Sequence, residues 1–244
     1  MRRYKTETYG DVIADFYDEL MAPIGDSTIE AADFLAGLAP GGRALELGIG
    51  TGRVALPLAA RGVRVHGLDA SPRMLERLRD KPGGASIETT IGDFADVAVP
   101  GSFDLVFVVF NTLFGLLTQE RQIDCLANVS AKLRPGGWFV VEAFVPPVGY
   151  DRRDGSDPAS FDDEQARLEV TRHDPVGQIL DARQVLHTPA GVRLLPVHMR
   201  YVWPSELDLM ARLAGLRLVD RFGGWRWQPF TAASRNHVSL YTTA

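Results

Sequence analysis

A chain of 244 residues with 45% hydrophobic and 23% charged side chains is long enough to bury one sizeable core, with room for a second unit only as an insertion. Its formal charge of -5, without any long basic run, lacks the concentrated positive field that a nucleic acid or an anionic membrane requires, so a small-molecule partner is expected, with the chain a monomer or homodimer. The single cysteine, Cys125, rules out an internal disulfide and a thiolate metal cluster; it falls inside an amphipathic helical pattern and reads as a packing residue.

Arg2 and Arg3 lead into a polar stretch, Tyr4 to Tyr9, with neither a secretory apolar segment nor a twin-arginine signal, and a cytoplasmic location is expected. Val12, Phe16 and Leu20, then Ile29, Phe34 and Leu38, recur at helical spacing with an interruption at Pro23 to Asp26. This predicts two short helices that form a lid. A strand over Arg43 to Leu47 then meets a glycine loop, and a helix over Val54 to Ala60 leaves it. The unit repeats: a strand over Val63 to Leu68 ends at Asp69, and Ser71-Pro72 supplies an N-cap and a first-turn proline for a helix over Arg73 to Arg79.

Further strands are predicted over Ser86 to Ile91, ending at Gly92-Asp93, and over Phe103 to Phe110, ending at Asn111. A helix over Gln119 to Leu133 and the turn Pro135-Gly136-Gly137 lead to a fifth strand, Trp138 to Phe144. Strands that are apolar at every position need cover on both faces, which predicts an α/β fold: a three-layer, doubly wound, mostly parallel sheet. After Pro146 a polar, proline-containing stretch from Asp151 to Glu164 precedes strand-like alternation over Ala166 to Tyr201 with a turn at Thr188 to Gly191, an antiparallel β insertion. A helix over Ser205 to Ala214 and strands Leu216 to Phe222 and Val238 to Thr242 complete the chain. The expected organisation is one domain, with a helical lid over 1-40, a ligand-binding core over 41-146, the insertion over 147-203 and closing elements over 204-244.

Chemistry concentrates at the predicted strand ends, where a parallel sheet opens its ligand crevice. Glu46-Leu-Gly48-Ile-Gly50-Thr-Gly52 follows the first strand, and its glycines let the backbone turn tightly and approach a ligand. A dinucleotide fingerprint needs glycine or alanine three positions beyond its second glycine, but Arg53 stands there and Gly52 comes one residue early, which argues against an NAD-dependent oxidoreductase. Asp69 ends the second strand about twenty residues on, where a carboxylate accepts the hydroxyl protons of an adenosine ribose. Asp93 with Phe94 ends the third strand, suited to an adenine amino group and ring face, or to an ordinary turn. Asn111 ends the fourth, where a transferable group would lie.

These features, with the Leu133-Arg-Pro-Gly-Gly turn, resemble class I S-adenosylmethionine-dependent methyltransferases over roughly Arg43 to Glu142. The resemblance implies a seven-stranded Rossmann-like sheet with an antiparallel last strand. It implies a transferase that moves a methyl group from S-adenosylmethionine to a nitrogen or oxygen atom of a small molecule by in-line displacement. Glu46, Gly48 and Gly50 would contact the methionine side, Asp69 the ribose, and Asp93 with Phe94 the adenine. Tyr17, Ile49, Gly52, Ala70, Met74 and Phe110 would complete the cofactor surface, and Asn111 would line the methyl-donor side as a catalytic candidate. The Tyr9 to Tyr17 segment and the insertion resemble the layout of N-methyltransferases acting on glycine or amino sugars.

The tetrapeptides of nucleic-acid amino methylators are missing, since Asn111-Thr-Leu-Phe114 differs at both proline positions. An acceptor hydroxyl would need a base within hydrogen-bond reach, for which His173 and His198, with His187, are candidates. Arg200, Tyr201, Trp203, Trp225 and Trp227 are expected near the mouth, either to hold an acceptor or to cover the core edge. Asp162, Asp163 and Glu164 form only a polar loop run, and no metal is expected. The competing readings are an NAD-dependent oxidoreductase and a protein that binds S-adenosylmethionine without catalysis.

Overall fold

The apolar runs form the expected strands in the computed structural model, which describes residues 8–21, 25–146, 154–161, 166–189 and 191–244. Strands β1 (Arg43–Leu47), β2 (Arg64–Asp69), β3 (Glu88–Ile91), β4 (Phe103–Val108), β5 (Leu133–Phe144), β10 (Leu216–Phe222) and β11 (Asn236–Thr243) make one sheet in the order β10-β11-β5-β4-β1-β2-β3. β11 runs antiparallel to both its neighbours, while the other pairs are parallel, with Ala44 opposite Val65 and Leu105. The chain winds outward from β1 to β3 and then crosses to β4, so the crevice between the carboxyl ends of β1 and β4 is the switch point of the sheet.

Both faces are covered, which is why alternation is absent from the central strands. Ala44, Phe107, Val140 and Val238 face α3 (Gly25–Leu38), α4 (Ala55–Ala59) and α5 (Pro72–Arg79), packing with Phe34, Leu58 and Leu78. Leu45, Val106, Phe139 and Tyr241 face α6 (Gln119–Lys132) and α7 (Pro204–Leu213), packing with Cys125, Leu126, Leu207 and Met210. Each such large apolar side chain, removed from water, contributes about 1.5–3 kcal/mol. Ser71 caps α5, its Oγ accepting from Met74 N at 3.2 Å.

Several boundaries differ from expectation for local reasons. The first helical stretch divides into α1 (Thr8–Ile13) and α2 (Tyr17–Met21), so that among the described residues three helices precede β1; the break presents Asp15 to Arg73 and Arg77. β3 starts later because Gly84–Ser86 forms a 3-10 turn. β4 stops at Val108 because Phe110 and Asn111 take left-handed φ values of 56 and 60°. The insertion is a separate antiparallel sheet of four strands: β6 (Asp154–Phe161), β7 (Ala166–Asp174), β8 (Ile179–Thr188) and β9 (Gly191–Arg200). The polar segment expected to be loop thus supplies β6, and a second turn separates β7 from β8; Asp162, Asp163 and Glu164 lie outside the described residues.

Arg200 anchors this sheet to the main layers. Its guanidinium, buried, donates to Gln122 Oε1 at 2.6 Å, Gln178 Oε1 at 3.0 Å and Glu206 Oε1 at 2.7 Å, joining β9 to α6 and α7. The residue expected near the cleft mouth is therefore a clamp.

Candidate active site

The loop after β1 is held from three sides. Gly48 N and Ile49 N donate to Leu68 O at 2.7 and 3.2 Å, and Ile49 fills the space over Gly67, where an added Cβ would fall 2.3 Å from its Cδ1. Gly48, at φ +73°, abuts Thr112, and Gly52, at φ +77°, abuts Leu78; a side chain at either would collide. Gly50 differs: at φ +56° its added Cβ would meet no atom within 4 Å, so this turn faces open space at the switch point.

Asp69 joins the loop to the next helix. Its Oδ2 accepts from Gly50 N at 2.7 Å and its Oδ1 from Ser71 N at 2.8 Å, and burial pushes its carboxyl above the usual range despite those bonds. It therefore shapes the glycine loop as well as standing at the β2 end, and Ala70 lies half-buried beside it. The lid reaches the same loop: Thr51 Oγ1 donates to Asp18 Oδ1 at 2.6 Å, Lys81 bridges Asp18 and Thr51 O, and Ser71 Oγ donates to Asp11 Oδ1 at 2.6 Å. Met74 is buried beneath the lid with Ile13, Ala14 and Leu195, so its side chain belongs to that small core.

Opposite charges gather beside the loop. Glu46 is buried, its Oε2 without a partner, and burial pushes its pKa up to about 8. Arg53, which opposes that shift, donates through Nη1 to Thr28 Oγ1 at 2.7 Å, lies 5.0 Å from the centre of the Phe110 ring and leaves Nε buried without a partner. Tyr17 bonds to Arg53, and burial raises its phenol. Glu142, at the end of β5, accepts from Phe110 N at 2.5 Å, and burial raises its carboxyl too. From the sequence, Arg53 stands out only as a misfit to another fingerprint, and Glu142 only as the far bound of the family resemblance, with no site role. The signal for Glu142 was a lone charge inside the apolar run Trp138 to Phe144.

Other expected positions are placed differently. Asp93 is engaged by Ala95 N at 2.9 Å and Arg121 Nη2 at 3.0 Å, the ordinary turn role, and Phe94 is buried in the core beside Cys125, which limits its ring as an open stacking face. Asn111 Oδ1 accepts from Phe144 N at 2.7 Å, so its side chain ties the β4 end to the β5 end. His173 is buried against the Tyr201 hydroxyl at 3.1 Å. His198 pairs with Asp181 at 3.1 Å on the outward face of the insertion, the face of exposed Val192 and Leu194, and His187 is exposed on that face. His187 and His198 thus face outward, while His173 shares the inward face of Leu180 but is engaged there by Tyr201; alternation fixes that residues alternate, not which set faces the cleft. His237, buried at the start of β11, is pushed down to about 3 by burial, and its Nδ1 lies 2.8 Å from Ser239 Oγ. Trp225 and Trp227 pack on Phe34 and cover the core edge. Among the described residues no three His, Cys, Asp or Glu side chains converge as metal ligands, and no helix is long and apolar enough to cross a membrane.

A glycine loop facing open space at the switch point, acids at the ends of β1 and β2, and an antiparallel β11 define a class I methyltransferase architecture. A family model described as a methyltransferase domain matches residues 44–137. The cypemycin N-terminal methyltransferase of a Streptomyces species is 32% identical over 197 residues, covering 78% of this chain and 79% of its own. The CcbJ methyltransferase from Streptomyces caelestis is 43% identical with a TM-score of 0.93, over 99% of this chain and 100% of its own. A methyltransferase from Clostridium acetobutylicum shares the fold at a TM-score of 0.78 and 14% identity, over 95% of this chain and 98% of its own. The chain belongs to the S-adenosylmethionine-dependent methyltransferases; it is an enzyme of that class, with S-adenosylmethionine as its cofactor.

Proposed function

We propose that this enzyme methylates an amine nitrogen of a small-molecule acceptor, with the amino-acid tail of its cofactor held by Arg53, Glu46 and Glu142. The observation that carries the cofactor placement is the pair of orphaned atoms, Glu46 Oε2 and Arg53 Nε, buried beside the open turn at Gly50. An unpaired buried polar group costs about 1–3 kcal/mol, and a zwitterion bearing one ammonium and one carboxylate satisfies both. Asp69 would hold the ribose hydroxyls through the lone pairs left by Gly50 N and Ser71 N. The bound sulfonium supplies an already electrophilic methyl group, so the protein's task is alignment and exclusion of water.

A nitrogen acceptor agrees with where the bases lie. An amine needs only to arrive unprotonated, whereas a hydroxyl needs a base in reach, and His173, His187 and His198 are turned away or engaged. The cypemycin enzyme, by name, methylates an N-terminus. Asn111 would act as a positioning residue, fixing Phe110 and Phe144 around the donor side.

The test is titration of S-adenosylhomocysteine against 5′-methylthioadenosine, which lacks the amino-acid tail. Arg53→Met should weaken the former about tenfold or more and leave the latter unchanged; equal loss for both would remove the tail from this cluster. Labelled methyl transfer to small amines and not to their alcohol counterparts checks the choice of nitrogen.

A further inference from the structure

The inward face of the insertion sheet carries a polar cluster that packing alone does not call for. In an antiparallel pair, residues directly opposite share a face. Glu169, Gln184 and Leu195 stand in one such row across β7, β8 and β9. Leu195 is 1% exposed and packs with Ile13, Ala14 and Met74, so this row looks inward, toward the lid and the crevice. The next rows on the same face hold Arg167 and Thr171. The intervening rows look outward and carry Leu168, Val170, Val192 and Leu194, which are 45–60% exposed. The outward rows also hold Arg172, Asp181, Arg183 and His198, and the inward rows also hold buried Leu180 and Ala182, so the inward face sets a polar cluster beside hydrocarbon.

The inward polar groups are joined to one another. Arg167 Nη2 donates to Gln184 Oε1 at 2.6 Å, Gln184 Nε2 donates to Glu169 Oε2 at 3.0 Å, and Thr171 Oγ1 donates to Glu169 Oε1 at 3.3 Å. The network is incomplete, because Arg167 Nε is buried without a partner. These side chains are half-buried, and a face that served only as cover would be more favourable with apolar residues here, since polar groups withdrawn from water without full partners cost free energy.

We propose that Arg167, Glu169, Thr171 and Gln184 form the recognition wall for the methyl acceptor, and that this acceptor is an amine bearing hydroxyl groups. The inference rests on the methyl-transfer reading above and adds the chemical class of the acceptor. Each Glu169 oxygen has taken one hydrogen bond and keeps a lone pair for an acceptor hydroxyl or ammonium, while the guanidinium offers donors to hydroxyl or ether oxygens. An apolar amine would leave both ends of the network unsatisfied, and such a mismatch is the strongest discriminator between analogues.

The experiment titrates enzyme saturated with S-adenosylhomocysteine with D-glucosamine and, separately, with cyclohexylamine, an amine of similar ring size without hydroxyls. Glucosamine should bind at least about tenfold more tightly, and Glu169→Gln and Arg167→Met should each erase that preference while S-adenosylhomocysteine affinity stays within about twofold. Equal affinity for the two amines, including no binding of either, overturns the proposal. So do variants that lower only the melting temperature and keep the preference, since the row would then be a structural zipper between β7 and β8. Failure of the wild-type enzyme to bind S-adenosylhomocysteine, visible in the first titration, would count against the cofactor reading itself.

Discussion

Glu46 is a carboxyl group held where its charge is costly. Burial raises it from 4.5 to about 8, with Arg53 opposing and Asp69 adding to the rise. Between those values the folded chain binds a proton that the unfolded chain releases, so the stability this proton supports is present below about pH 4.5 and is lost as the pH rises toward 8. Wild-type ligand-free enzyme should therefore lose on the order of 3–4 kcal/mol through this group between pH 5 and 8, and Glu46→Gln should flatten that decline while weakening S-adenosylhomocysteine binding. Urea titrations at four pH values check it; an unchanged slope in the variant would assign the decline to other groups. Asn111 teaches a related lesson. Its place at the end of β4 was legible from where the apolar run stops, but its bond to Phe144 N was not, because that depends on how the β5 exit passes over β4.

Whole elements were more legible than their ends. β1, β2, β4 and the core of β5 could be read because strands buried on both faces stay apolar throughout, and α5 because Ser71-Pro72 marks its start. β6 was hidden by Pro158 and its polar neighbours, since an edge strand tolerates both. The phase of the insertion was hidden too: the sequence shows alternation over Ala166 to Tyr201, but only the packing of Leu180 and Leu195 decides which set faces in, while Arg200 anchors the strand end. That anchoring has its own consequence. Arg200→Met would strip Gln122, Gln178 and Glu206 of a shared buried donor and should destabilise the protein by about 3 kcal/mol. Hydrogen exchange should then quicken in β8 and β9 before β1 and β4; uniform loss of protection would mean that the two sheets unfold as one unit.

At the scale of the molecule, a rigid doubly covered sheet meets a lid secured by much weaker means. The apolar share of the lid contact is small, centred on Ile13, Ala14, Met74 and Leu195. The remainder is charged and exposed, with Asp15 against Arg73 and Arg77 and Asp18 against Lys81. Exposed ion pairs contribute little individually and are screened by salt, whereas the hydrogen-bonded core of the sheet is not. Opening of α1 and α2 should thus be the lowest-energy fluctuation of the chain, and it uncovers Thr51 and Ser71, the two points where the lid touches the glycine loop and the α5 cap. Raising salt from 50 to 500 mM should accelerate dissociation of S-adenosylhomocysteine, and Asp18→Asn should reproduce much of that acceleration at low salt, because it removes the Lys81 pair while keeping a hydrogen-bonding side chain for Thr51. Stopped-flow displacement measures both. A dissociation rate indifferent to salt and to the substitution would place the barrier in the loop itself, leaving the lid as a passive wall.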